Sequence, residues 1–72
     1  MDRKPLTPFG KAIKKKLVDL DRSQDWLIDQ VVMKTGLYFD GSYLHKIMTG
    51  KHSTPKVIQA IKEILNIPDD PQ

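Results

Sequence analysis

Two Thr-Pro pairs, Thr7-Pro8 and Thr54-Pro55, set the strongest limits on what this chain can fold into. Each puts a capping hydroxyl before a residue whose fixed φ suits the first turn of a helix, where its missing N–H leaves no bond unmade. Behind the first pair, Phe9, Ala12, Ile13, Leu17 and Leu20 recur at helical spacing, which predicts a helix from Pro8 to Leu20. Asp21-Arg22 then makes a turn, and Ser23 caps a second helix from Gln24 to about Thr35, with Asp25 near its positive end. Gly36 ends it by supplying a left-handed residue. Asp40 is placed to cap a short helix from Gly41 to about Met48, with Leu44, Ile47 and Met48 inward, and Gly50 stops it. The second Thr-Pro pair opens a last helix through about Asn66. No run alternates with period two, so no sheet is expected. The expected fold is all-α, a compact bundle of four helices with a fifth short one allowed. Trp26, Leu27, Ile28, Val31 and Val32 cover much of the second helix, which is therefore expected to be the most buried.

The chain has 72 residues, enough for one domain and no second. Its core is expected over residues 7–67, with a short flexible N-terminal arm and an acidic tail, Pro68-Asp69-Asp70-Pro71-Gln72. There is no cysteine, which removes disulfides, thiolate zinc sites, iron–sulfur ligation and cysteine nucleophiles together and fits a reducing, cytoplasmic setting. No apolar run is long enough to span a membrane, and none follows Met1-Asp2-Arg3-Lys4-Pro5 as it would in a secretory signal. The chain is expected to be its own mature form, acting alone without an effector module.

The net charge of +3 matters less than where it lies. Seven Lys/Arg face three Asp from Met1 to Arg22, two face three acids from Ser23 to Gly50, and three face three from Lys51 to Gln72. Between Asp40 and Glu63, His45, Lys46, Lys51, His52, Lys56 and Lys62 occur with no acid at all. An acid-free basic segment inside a folded domain points to a polyanion partner, against the plainer account of a solvated face with its acids elsewhere.

Catalysis and metal binding find little support. Asp40, Ser42 and His45 lie within about one turn, but Asp40 serves as a helix cap, and a chain of this size has little concavity to shelter a nucleophile. His45 and His52 are seven apart across a helix end, without the i, i+3 or i, i+4 spacing that aims two ligands at one ion. The glycines are isolated, so no phosphate-cradling loop exists. The chain is expected to be no enzyme and to take no cofactor.

The informative segment runs Ser42-Tyr43-Leu44-His45-Lys46-Ile47-Met48-Thr49-Gly50-Lys51-His52-Ser53-Thr54-Pro55, preceded by Ser23-Gln24-Asp25-Trp26-Leu27. With Leu44 and Ile47 inward, Ser42, Tyr43, His45, Lys46 and Thr49 remain outward, a set of donors, acceptors and an aromatic edge suited to base edges. The pattern resembles the Xre/Cro-like, or lambda-repressor-like, helix-turn-helix family of phage and mobile elements, over about Phe9 to Ile67. The resemblance implies a sequence-specific regulator of transcription on double-stranded DNA, in the manner of a Cro repressor, whose short helix 41–48 enters the major groove. It makes Ser42, Tyr43, His45, Lys46 and Thr49 candidate base readers, Lys46 reading guanine or pairing with phosphate. Gln24, Lys51, His52 and Lys56 become candidate phosphate contacts. Ile58, Ile61 and Leu65, at i, i+3, i+7, are expected to hold a homodimer, with half-sites about one helical turn apart.

Plainer roles compete at several positions: Tyr43 packing its ring on the second helix, Thr49 bonding its neighbours' backbone, Trp26 in the core, and Lys11, Lys14, Lys15 and Lys16 merely solvated. Two features depart from the family. The eighteen residues from Gln24 to Ser42 exceed its usual spacing by about six, of which about four make one added turn of helix and the rest lengthen the connection around Leu37-Tyr38-Phe39-Asp40. Arg22 also stands where an apolar residue usually braces the first turn. The lengthened turn leaves room for Tyr38 or Phe39 to pack within it or to reach a sugar-phosphate edge; with both exposed, and with surplus apolar residues on the last helix, it motivates the rival reading, a protein-interaction module such as an antirepressor or inhibitor. Attachment of the first helix to an anionic membrane through its lysines is a weaker rival, since that helix needs its apolar face for the core.

Overall fold

The computed structural model describes residues 6–68; the expected N-terminal arm and most of the acidic tail lie outside them. Four α-helices and no strand occur among the described residues: α1 (Pro8–Leu20), α2 (Gln24–Thr35), α3 (Gly41–Thr49) and α4 (Pro55–Leu65). No described helix is long and apolar enough to cross a membrane.

The helix boundaries follow from local chemistry. Thr7 accepts a hydrogen bond from the Gly10 N–H, Ser23 from the Trp26 N–H and Asp40 from the Tyr43 N–H, each satisfying a donor that the first turn leaves unpaired. α2 and α3 end at Gly36 (φ 72°) and Gly50 (φ 86°), left-handed positions where a side chain would be strained. Asp21 and Asn66 close α1 and α4 in the same backbone region, which Asp and Asn tolerate better than most residues. Thr54 departs from expectation: it holds the capping position of α4 but makes no side-chain cap bond.

One core joins all four helices. Ile13 and Leu17 of α1, Leu27 and Val31 of α2, Leu44, Ile47 and Met48 of α3, and Val57, Ile61 and Leu65 of α4 are buried together with Phe39 from the connection. α2 packs chiefly on α4, and α1 on α3. The α1–α3 contact is unusually close. Gly10 is buried, and a Cβ built there would lie 2.2 Å from the Met48 carbonyl oxygen. That same carbonyl accepts hydrogen bonds from the Thr7 N–H and the Thr7 hydroxyl, both at 3.0 Å. The start of α1 is thereby bolted to the end of α3, and Gly10 is the residue that lets them meet.

Three expectations need correction. α2 is not the most buried helix: only Leu27 and Val31 are fully inside, while Val32 is exposed and Met33 is 78% exposed. Its neighbours cover one stripe, and Val32 and Met33 fall off that stripe near its far end, whereas α4 buries Val57, Ala60, Ile61 and Leu65. Phe39 is not exposed but 4% accessible, set in the core as a plug. It occupies the position before the Asp40 cap, and Leu44 the fourth position of α3; both are buried, the arrangement of a hydrophobic staple that fixes how the chain enters a helix. Ile61 and Leu65, expected at a dimer interface, are 0% and 1% accessible. Their i, i+4 stripe closes the monomer's own core, so these two side chains do not face a second copy. Of the three, only Ile58 is half-exposed, in a groove it shares with Phe9, Ala12 and Ile67.

The turn between α1 and α2 has its own brace. Arg22 lays its guanidinium over the Trp26 ring at 5.2 Å, so a cation–π contact stands where an apolar residue was to be missed. Trp26 is half-buried rather than a full core residue.

Candidate nucleic-acid interface

α3 is a nine-residue helix with two unlike sides. Leu44, Ile47 and Met48 face the core; Ser42, His45, Lys46 and Thr49 recur at i, i+3, i+4 and i+7 and form a single stripe on the other side. Ser42, His45 and Lys46 are exposed. Thr49 is half-exposed, and its hydroxyl donates to the His45 carbonyl at 3.0 Å, the backbone-bonding role weighed for it above. Its lone pairs remain able to accept.

Tyr43 does not share that stripe. It is half-buried, its ring 5.0 Å from that of Phe39 and 5.5 Å, edge-on, from that of His52. Its hydroxyl is paired with the Thr54 hydroxyl at 2.6 Å. The expectation of a base reader therefore meets a residue already engaged by two rings and at its hydroxyl. This also explains the absent cap of α4, because the Thr54 hydroxyl that would turn to its own helix turns to Tyr43.

The segment between α3 and α4 doubles back on α3. The Lys51 and His52 N–H groups both donate to the Lys46 carbonyl, at 2.8 and 3.2 Å, and the His52 ring nitrogen Nδ1 lies 3.2 Å from the Lys51 carbonyl. Lys51 and His52 are thus carried beside the stripe, exposed, with Lys56 exposed in the first turn of α4 beyond them. Gln24 is exposed at the first position of α2, and no contact among the described residues ties it to this group.

Two acids border the region, and both are committed elsewhere. The Asp40 carboxylate caps α3 and is held below its ordinary pKa, first by the hydrogen bond from the Tyr38 hydroxyl, then by the Tyr43 N–H, with a smaller contribution from the Lys46 charge. The Tyr38 hydroxyl is correspondingly pushed up by the same bond. With its N-terminus already filled by a carboxylate, α3 is not itself an anion site; an anion near it meets the flanking cations instead. Glu63 is drawn away by Gln59 at 3.1 Å and Lys34 at 3.2 Å, which hold its carboxyl below the ordinary value, Gln59 contributing most.

No grouping of three or more His, Cys, Asp or Glu able to hold a metal ion occurs among the described residues. His45 points from the α3 stripe and His52 toward Tyr43, so the two histidines do not converge. Sequence reasoning missed the role of Thr54 and left that of Phe39 open between packing and exposure. The staple spacing, an aromatic before Asp40 and Leu44 five residues on, was a usable signal for Phe39; the pairing of Thr54 with Tyr43 had none. Compared with family models, with curated proteins and with solved structures, the chain matches nothing.

Proposed function

We propose that the chain is a sequence-specific double-stranded-DNA-binding regulator of transcription, a Cro-like repressor of the lambda-repressor-like helix-turn-helix type. α2 and α3 are the two helices of the motif, and α3 lies in the major groove. The observation that carries the reading is the stripe of exposed Ser42, His45 and Lys46 and half-exposed Thr49, with Lys51, His52 and Lys56 beside it and no acid from residue 41 to residue 62. Hydroxyl, imidazole and ammonium groups at that spacing match the donor and acceptor edges of bases, and the flanking cations match phosphates. Gln24 remains a phosphate contact only as the resemblance implies it. Repression follows by occlusion, since a bound domain excludes polymerase or a competing regulator from the same duplex.

Selection from a random double-stranded DNA pool by the purified chain, at two salt concentrations, tests this. An enriched motif whose binding weakens steeply with salt, by about 0.9 log units per phosphate contact per decade, is the expected result. Lys51→Ala should weaken all sequences alike, whereas Ser42→Ala and His45→Ala should change the preference among them. Equal effects of all three on every sequence would overturn the assigned roles, and no enrichment at either salt would overturn the reading. A motif with two-fold symmetry would mean that two copies bind together.

A second reading, a protein-interaction module on the same scaffold, is favoured by one observation. Val32, Met33, Leu37 and Tyr38 are all exposed around the end of α2, Tyr38 at 75%. A co-purifying protein lost on Met33→Ser or Tyr38→Ser, with duplex binding negligible throughout, would support it over the first.

A further inference from the structure

We infer that Tyr43 is a positioning residue, which locks the phosphate-side cations to the base-reading stripe; the inference rests on the DNA-binding reading above. Backbone hydrogen bonds tie the segment after α3 to that helix at one end only: Lys51 and His52 donate to the Lys46 carbonyl, while the Thr54 carbonyl at the other end accepts from the Ile58 N–H of α4. What ties that far end to α3 is the Tyr43–Thr54 hydroxyl pair, a contact between residues eleven apart in the chain. The segment 51–54 is thus pinned alongside α3 at two points, by backbone near the end of the helix and by side chains near its start.

The link between elements stands in place of a local bond. A threonine at the capping position ordinarily bonds to its own helix, as Thr7 does for α1. Thr54 leaves α4 without that bond and reaches Tyr43 instead. The Tyr43 ring is seated on the buried Phe39, so the anchor is referred to the core, and it also meets the His52 ring edge-on. Base readers and phosphate contacts work only if both reach the duplex in one rigid register. Tyr43 supplies that register here.

Tyr43→Phe removes the hydroxyl and keeps the ring on Phe39 and His52; Thr54→Val removes the same link from the other side, so either folded variant serves. Both are to be measured against the duplex that the wild-type chain enriches and against an unrelated duplex, over a salt series. Amide hydrogen exchange is followed at Lys51 and His52 in parallel. Expected are native helicity, affinity for the enriched duplex lower by about tenfold, and a salt slope shallower by about one phosphate contact, with the order of preferred sequences unchanged. Exchange at Lys51 and His52 should quicken by about tenfold, and the double variant should be no worse than either single one. Wild-type affinity and slope in folded Tyr43→Phe would overturn the inference and leave DNA binding intact. A changed base preference with an unchanged slope would also overturn it, by making Tyr43 a reader. Failure of the wild-type chain itself to bind any duplex would overturn the DNA reading, and this inference with it.

Discussion

Replacing Gly10 by alanine sets two effects of opposite sign against each other at one atom. Gly10 lies inside α1, where alanine favours the helix by about 1 kcal/mol over glycine. Against this, the new Cβ would sit 2.2 Å from the Met48 carbonyl oxygen, 3.0 Å from its carbon and 3.1 Å from its Cα, all of them backbone atoms with no rotamer to change. Restoring ordinary contact requires α1 and α3 to part by about 1 Å, a repacking that costs about 1–3 kcal/mol in a well-packed interior. The same parting stretches both Thr7 bonds to the Met48 carbonyl from 3.0 Å toward breaking, each worth about 0.5–1.5 kcal/mol. The steric and hydrogen-bonding terms outweigh the propensity gain, and the net loss is about 1–5 kcal/mol, centred near 3.

For a domain of this size such a loss lowers the melting temperature by about 10–25 °C. Thermal and urea unfolding followed by far-ultraviolet circular dichroism measure it. Gly41→Ala is the matched control, because nothing lies within 4 Å of a Cβ added there and the backbone is not left-handed; its melting temperature should be unchanged or raised. If Gly10→Ala melted at or above the wild-type temperature, helix propensity would have won, and the close α1–α3 contact would not exist in solution.

Phe39→Ala should destabilise by about 3–5 kcal/mol, since it empties a core position and removes the ring beneath Tyr43; a loss under about 1 kcal/mol in urea titrations would mean that the turn is not plugged. Asp40→Ala removes the cap of α3. Because the folded carboxyl is held below its ordinary pKa, its contribution is present above the unfolded value and lost as pH falls through the folded one. The gap in melting temperature between wild type and Asp40→Ala should therefore be open at neutral pH and close below about pH 4, and a gap independent of pH would refute the ionic cap. The triple variant Ser42→Ala, His45→Ala, Lys46→Ala should keep its stability to within about 1 kcal/mol while losing duplex selection. Unfolding of that variant would show the stripe to be structural.

Helix positions were legible because their signals are local. Thr7-Pro8, Ser23, Asp40, Gly36 and Gly50 each act on backbone within a turn of themselves, and all of them act as their spacing predicts. The division of α3 into core and outward residues was legible for the same reason, a 3.6-residue period applied over two turns, except at Tyr43, expected outward and found half-buried against Phe39. What stayed hidden depends on which helix covers which. Val32 and Val31 are equivalent in composition, yet one is exposed and the other buried, because only the arrangement of α3 and α4 selects the stripe. Ile61 and Leu65 looked surplus to a small core, but α4 supplies more of that core than any other helix. Thr54 has all the marks of a cap, and only the approach of Tyr43, eleven residues earlier, diverts its hydroxyl.

A helix of nine residues is marginal in water, so α3 must be held by the rest of the molecule. The side-chain contacts that join it to the rest of the molecule fall outside the exposed stripe. Asp40 and Phe39 fix its start, Thr7 fixes its end through the Met48 carbonyl, and Leu44, Ile47 and Met48 fill the core beneath it. Tyr43 takes the lateral load through Phe39 and Thr54. Ser42 and His45 are exposed and their side chains enter none of these contacts, and Lys46 adds only its charge beside the Asp40 cap. On the DNA-binding reading proposed above, stability and recognition are separable on this helix: exchanging Ser42 or His45 should alter what is read while the geometry that presents them persists. The reverse holds for Gly10, Phe39 and Thr7, which meet no candidate ligand yet decide whether the stripe is presented at all.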